Sequence, residues 1–273
     1  MDTTQTRIPF ATCPLCDGTA SAEEMIGNCS GHASYRPPLG KTMRWLRCRQ
    51  CDHVYVDGYF SPEALSILFA NTLPHQNPGD NIENARQVSA RIVENVSALL
   101  PTPGGRWLDI GFGNGALMTT AAEFGFEAVG IDLRAANVEK MRQFGYEAHV
   151  VEFEDYRPST PLDVISMADV LEHMPFPKRA LAHAHVLLRA GGMLFLSMPN
   201  ADSFLWKVLT ANGVNPYWGE IEHYHNFGRR RLYALLTEFG FEPLRYGVSH
   251  RYRACMEVIA KKATTSSRIP TTP

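Results

Sequence analysis

The sequence predicts an α/β protein: a doubly wound, mostly parallel, seven-stranded sheet behind a small N-terminal four-cysteine module. Three observations carry that prediction. From Arg106 onward, apolar strand-like runs alternate with helix-like runs, the order that builds a parallel sheet. Runs such as Val164-Ile165 and Leu194-Phe195-Leu196 are apolar at consecutive positions, which suits strands covered on both faces. Upstream, four of the six cysteines form two C-x-x-C pairs in a stretch poor in apolar residues.

Composition bounds the class. A chain of 273 residues suits one large domain, or a medium one with a small attachment. With 45% apolar and 20% charged residues it can bury a core and lacks a disordered composition. Lys+Arg 26 against Asp+Glu 28 leaves a net charge of −2, without the basic excess of a dedicated nucleic-acid or membrane-surface binder. No apolar run approaches the ~20 residues that span a bilayer. The start, MDTTQTRIPF, shows no basic segment followed by an apolar stretch, so a cytoplasmic protein is expected.

The elements follow in order. Cys13-Pro-Leu-Cys16 and Cys48-Arg-Gln-Cys51 are separated by 31 residues, and each sits in turn chemistry. Two such knuckles let four thiolates converge on one structural zinc ion; disulfides are disfavoured in a reducing compartment, and a redox motif needs a strand–turn–helix context absent here. Residues 1–60 therefore read as a metal-stapled module, with His53 a polar residue opening the strand Val54–Val56. Residues 61–80 read as a helix capped by Ser61 with Pro62 at its first position, then a linker rich in Pro and Gly. Residues 81–262 hold the α/β domain. An amphipathic helix with Val88, Ile92, Val96 and Leu99 on one face leads in. Strands are expected at Trp107–Gly111, Ala128–Leu133, Glu147–Phe153, Asp163–Ala168, Met193–Met198, Glu242–Val248 and Ala254–Ala260. Helices are expected at Asn114–Phe124, Ala135–Phe144, Pro177–Arg189 and Arg229–Phe239. Residues 263–273, rich in Thr, Ser and Pro, are expected to be a disordered tail.

The most informative segment is Leu108-Asp109-Ile110-Gly111-Phe112-Gly113-Asn114-Gly115, which leaves a strand and enters a helix. Open α/β sheets bind ligands at that place, and glycines let a ligand approach the backbone. Asp132 ends the next strand, 21 residues after Gly111, where an acid can accept hydrogen bonds from ribose hydroxyls. The spacing is G-x-G-x-G, not the G-x-G-x-x-G of a diphosphate binder, and Asp109 precedes it. A carboxylate there repels a diphosphate and attracts the cationic amino-acid end of a ligand.

On these motifs, with Val-Gly-Ile-Asp132, Asp155 and Asp163-Val-Ile-Ser-Met-Ala-Asp169-Val-Leu-Glu172-His173, the chain from about residue 81 to 262 resembles the class I S-adenosylmethionine-dependent methyltransferases. The resemblance implies a Rossmann-like sheet and S-adenosylmethionine as cofactor. It implies that Asp109, Gly111, Gly113 and Gly115 hold the methionine end, that Asp132 with Leu133 beside it holds the ribose, and that Asp155 meets the adenine amino group. Ala168 and Asp169 would line the cofactor after the fourth strand. The zinc-ribbon-like module resembles that of a subset acting on sugars and small metabolites.

For the acceptor, two histidine clusters stand out: Glu172-His173, and Trp218-Gly-Glu220-Ile-Glu222-His223-Tyr224-His225-Asn226-Phe227. Small-molecule methyltransferases of this kind carry a similar Glu-x-His-x-Phe element, so His223, His225 and His173 are the candidate bases or acceptor-orienting residues. Tyr217, Trp218, Glu222 and Tyr224 are the candidate acceptor wall. The competing reading is that the run closes the site and packs its aromatics in the core. A divalent ion on Glu172, His173 and one of the later histidines is a further alternative. Methylation of a small-molecule hydroxyl in secondary or carbohydrate metabolism is expected first. Sugar C-methylation or N-methylation, an NAD-dependent oxidoreductase and a non-catalytic zinc-anchored binding module are the alternatives. A membrane or nucleic-acid partner is not expected, and both a monomer and a homodimer stay open.

Overall fold

The computed structural model of the protein describes residues 6–70 and 73–263. In chain order the elements are β1 (Arg7–Pro9), β2 (Ser21–Asn28), β3 (Thr42–Cys48), β4 (Val54–Val56), β5 (Gly58–Phe60), α1 (Pro62–Leu68) and α2 (Ile82–Ser97). Next come β6 (Gly105–Ile110), α3 (Ala116–Glu123), β7 (Phe126–Ile131), α4 (Ala135–Gln143), β8 (Glu147–His149), β9 (Leu162–Ala168) and α5 (Pro177–Leu187). The last are β10 (Leu188–Pro199), α6 (Phe204–Ala211), β11 (His225–Asn226), α7 (Arg229–Glu238), β12 (Phe241–Val248) and β13 (Cys255–Lys262). The expected tail, apart from Ala263, lies outside the described residues.

The chain gathers into two compact units, Met1–Leu73 with Glu172–Pro177 and Pro199–Leu232, and Pro74–Leu171 with Lys178–Met198 and Tyr233–Pro273. The second unit is the expected sheet, in the order β12-β13-β10-β9-β6-β7-β8. β10, β9, β6, β7 and β8 pair parallel with one another in that order, and β12 pairs antiparallel with β13. Trp107, Val164 and Phe195, from three adjacent strands, bury themselves with Ile92, Val93 and Val96 of α2 and with Leu117 and Ala121 of α3. That contact is what the apolar face of α2 is for. A second cluster joins Phe112, Met118, Val138, Met141 and Ala148. β8 is shorter than expected: the chain leaves the sheet after His149, and Phe153–Asp155 forms a 3-10 turn whose buried residue is Phe153.

The first unit is larger than the 1–60 module. Its four-stranded antiparallel sheet has the order β11-β4-β3-β2, so a strand from residues 225–226 completes a sheet begun near the N-terminus. The physical reason is core volume: Trp45, Val54, Val56 and Phe60 share one buried cluster with Trp206, Trp218, Ile221 and Tyr224 from the later segment. The Trp45 Nε1–H donates to the Trp218 carbonyl at 2.9 Å. A Cβ on Gly27 would lie 1.6 Å from that same carbonyl oxygen, so only glycine fits there.

Candidate functional site

β6 ends at Ile110, and the chain turns into α3 through the three glycines. Gly111, Gly113 and Gly115 all lie in the left-handed region, at φ 61°, 53° and 78°. A Cβ on Gly111 would meet Val170 Cγ2 at 3.0 Å, and one on Gly115 would meet Met141 Sδ at 2.8 Å. At Gly113 the nearest atom would be Gly111 O at 3.9 Å, so space is left beside the backbone. Asp109 is buried at the end of β6, where its Oδ1 accepts a hydrogen bond of 2.5 Å from Ser166 Oγ. Burial pushes its carboxyl up to about 7, although Ser166 and the charge of Arg251 pull the other way. A buried acid at the end of a strand, held by the Ser166 hydroxyl, fits a ligand that brings its own positive charge.

Asp132 follows β7 and is also buried. Its Oδ2 accepts from the Gly113 N–H at 3.3 Å and its Oδ1 from the Arg134 N–H at 2.8 Å, so it braces the glycine turn. Leu133 is exposed beside it, and Asp155 is exposed at the end of the 3-10 turn after β8. Ala168 closes β9, and Asp169 takes a left-handed φ of 56° just past it. Asp169 accepts from Ser197 Oγ at 2.9 Å and forms an ion pair with Arg251, a residue outside the sequence motifs. Asp109, the glycines, Asp132, Ala168 and Asp169 thus all sit at the ends of the parallel strands β6, β7 and β9.

In the first unit the four cysteines converge. The Sγ atoms of Cys13 and Cys51 are 3.7 Å apart, those of Cys16 and Cys48 are 3.5 Å apart, and all four lie within 4.8 Å of one another. Tetrahedral coordination at a metal–sulfur distance of about 2.3 Å places sulfurs about 3.8 Å apart, so the donor set fits zinc. The two knuckles share a backbone pattern: Asp17 N–H donates to Cys13 O, Asp52 N–H donates to Cys48 O, and both aspartates take positive φ.

Glu172, His173 and His223, distant in sequence, also meet in this unit, with one ligating atom from each within 4.8 Å of the others. Glu172 is 1% exposed and neither carboxylate oxygen has a hydrogen-bond partner; burial pushes its carboxyl up to about 8. His173 Nδ1–H donates to the Glu222 carbonyl at 3.0 Å, and its ring meets that of His223 edge-on at 4.6 Å. His223 is buried with Nδ1 unpartnered, and burial lowers its pKa well below the usual range. Tyr217, half-buried, stacks on Trp206 and lies parallel to the His223 ring at 6.4 Å.

Other residues from the acceptor list are placed differently. His225 is buried with both ring nitrogens engaged, Nδ1 with His53 Nε2 at 3.0 Å and Nε2 with Met174 O at 3.0 Å. Trp218 and Tyr224 lie in the hydrophobic core, Trp218 against Trp45 and Trp206, Tyr224 against Phe60. Their large apolar rings are what fill that core. Glu222 accepts from Ser34 Oγ at 2.5 Å, and His32 pairs with Glu220; neither Ser34 nor His32 carries a sequence signal. Arg251 carries no sequence signal either, and Ser166, though inside the motif after Asp163, gives no sign there that it meets Asp109 across the sheet.

Residues 84–246 match the family described as a methyltransferase domain. A ubiquinone biosynthesis O-methyltransferase from Thiobacillus denitrificans is 29% identical over 164 residues, covering 56% of this chain and 71% of that protein. Its counterpart from Hahella chejuensis is 34% identical over 124 residues, 41% of this chain and 51% of that protein. Among solved structures, the 1,6-didemethyltoxoflavin-N1-methyltransferase of Burkholderia thailandensis with bound S-adenosylhomocysteine superposes with a TM-score of 0.57 at 17% identity, over 79% of this chain and 97% of that one. The magnesium protoporphyrin IX methyltransferase of Synechocystis with bound SAH gives 0.52 at 18%, over 76% and 90%. Among the described residues no helix is long and apolar enough to cross a membrane. The family match spans more than half of the chain and contains the glycine turn and its acids: this chain belongs to the class I S-adenosylmethionine-dependent methyltransferases.

Proposed function

We propose that the protein transfers a methyl group from S-adenosylmethionine to a hydroxyl of a small-molecule acceptor. The observation that carries the reading is Asp109, a buried acid at the head of three left-handed glycines. Asp109 and the glycine turn would hold the methionine end, with Asp132 on the ribose hydroxyls. Asp155 would meet the adenine amino group, and Ala168 and Asp169 would line the site after β9. The bound cofactor supplies a methyl group on a sulfonium, so the chain's own task is to position the acceptor, exclude water and take up a proton.

Glu172, His173 and His223 are the groups we assign to that proton, with Tyr217 beside them. Methylation at oxygen is preferred over carbon or nitrogen because the curated relatives are O-methyltransferases. The four cysteines would hold a structural zinc, which leaves no open position for chemistry.

Calorimetric titration tests the reading. Wild-type protein is expected to bind one S-adenosylhomocysteine with micromolar affinity, and Asp132→Ala to weaken it at least about tenfold. Labelled methyl is expected to pass to a hydroxylated metabolite with wild type, and His223→Ala to lower that rate at least about a hundredfold. Binding of NAD without S-adenosylhomocysteine overturns the reading.

A further inference from the structure

The Glu172–His173–His223 cluster has a feature that proton transfer alone leaves unexplained. Glu172 is 1% exposed, yet both oxygens lack a hydrogen-bond partner, and so does the buried Nδ1 of His223. Buried polar atoms are ordinarily satisfied, and three orphans in one place point to an absent partner. His173 is already oriented for such a partner. Its Nδ1–H is spent on the Glu222 carbonyl at 3.0 Å, which leaves Nε2 as the ring's lone-pair nitrogen, the tautomer in which a ligating histidine is held. One atom from each of the three residues lies within 4.8 Å of the others, a span that one ion can bridge.

We infer that Glu172, His173 and His223 bind one divalent transition-metal ion, separate from the four-cysteine site. Two imidazoles and one carboxylate form a donor set of intermediate softness, suited to Zn²⁺, Mn²⁺ or Fe²⁺ rather than to Mg²⁺ or Ca²⁺, which take oxygen ligands. Three protein ligands leave coordination positions open, the pattern of a site that binds substrate rather than a closed structural one. When bound, the ion would make an acceptor hydroxyl more acidic, as it does metal-bound water; the proton would then leave to solvent water, because the three side chains are spent holding the ion. The inference deepens the proposed O-methylation and rests on it for the ion's purpose, but not for its existence.

The test is metal binding read without turnover. Protein is stripped of weakly held metal with a mild chelator until one zinc per chain remains by elemental analysis, then titrated with Mn²⁺ by calorimetry and by electron paramagnetic resonance, with Co²⁺ absorption as a second probe. Wild type is expected to take up one Mn²⁺ per chain, and Co²⁺ to show the weak bands of nitrogen–oxygen ligation rather than the intense thiolate bands. Glu172→Gln, nearly isosteric, and His223→Gln are each expected to weaken Mn²⁺ at least about tenfold while circular dichroism and S-adenosylhomocysteine affinity stay unchanged. If either variant unfolds, the cobalt spectrum of wild type still decides. No Mn²⁺ or Co²⁺ uptake at millimolar concentration, or undiminished uptake in both folded variants, overturns the site. Failure here with S-adenosylhomocysteine binding intact leaves the methyltransferase reading standing; failure of that binding as well would remove both.

Discussion

Asp109 shows how a single residue sets both stability and function. Its carboxyl titrates near 3.9 in the unfolded chain and is pushed up to about 7 by burial in the folded one. Between about pH 4 and 7 the folded state therefore holds a proton that the unfolded state lacks, so stability falls as pH rises through that window. Asp109→Asn removes the cost of a buried charge: the variant is expected to melt higher than wild type, by more at pH 8 than at pH 5, while losing most affinity for S-adenosylhomocysteine. A variant less stable at pH 8 contradicts this. In the wild type, a cationic ligand end favours the ionised acid, so affinity should fall between pH 8 and pH 6. His225 presents the opposite case. Both its nitrogens are used within the protein, and burial lowers its pKa to about 3. His225→Ala is expected to cost about 1–3 kcal/mol in urea denaturation, with methyl transfer per folded molecule within a few-fold of wild type. Sequence spacing put His223 and His225 on equal terms, because neither pattern nor composition reveals where a ring nitrogen finds its partner.

Among the elements, most strands and helices of the α/β part were legible from periodicity to within a few residues, since they bury an apolar face; the three-residue β8 and the largely uncovered β12 carry less of that signal. The segment between β10 and α7 was not. Ser203 caps α6 by accepting from the Trp206 N–H at 3.1 Å, but Trp206 is the one fully buried residue of a short helix, which leaves little periodic signal. The start of α7 shows the same dependence on distant chain. Three arginines oppose the helix dipole there, and Gly228 before them has no side chain that could cap the helix. The structure supplies the negative charge from elsewhere: Asp202 accepts from the Arg230 N–H at 3.2 Å, and a Cβ on Gly228 would lie 2.4 Å from its Oδ1. Asp202→Ala is accordingly expected to lower stability by about 1 kcal/mol. Gly228→Ser, a better cap in isolation, should also destabilise; a gain in melting temperature would refute this account.

At the scale of the molecule, the two units have separate cores, and the four cysteines lie in only one of them. Removing the proposed zinc should therefore act selectively. Hydrogen exchange after chelation is expected to accelerate in β2, β3, β4 and β11 while β6, β7, β9 and β10 stay protected; uniform acceleration would show that the metal supports both units. The sequence by itself determined the parallel sheet, the glycine turn with Asp109 and Asp132, and the paired knuckles, because each is written in neighbouring residues whose backbone conformation or burial is local. Only the tertiary structure decided that residues 199–232 complete the cysteine-bearing unit and that Glu172, His173 and His223 share one buried spot. It alone separated His223, with a nitrogen unspent, from His225, with none. Those outcomes depend on which surfaces must be covered to close a core, and that choice is made between segments far apart in the chain.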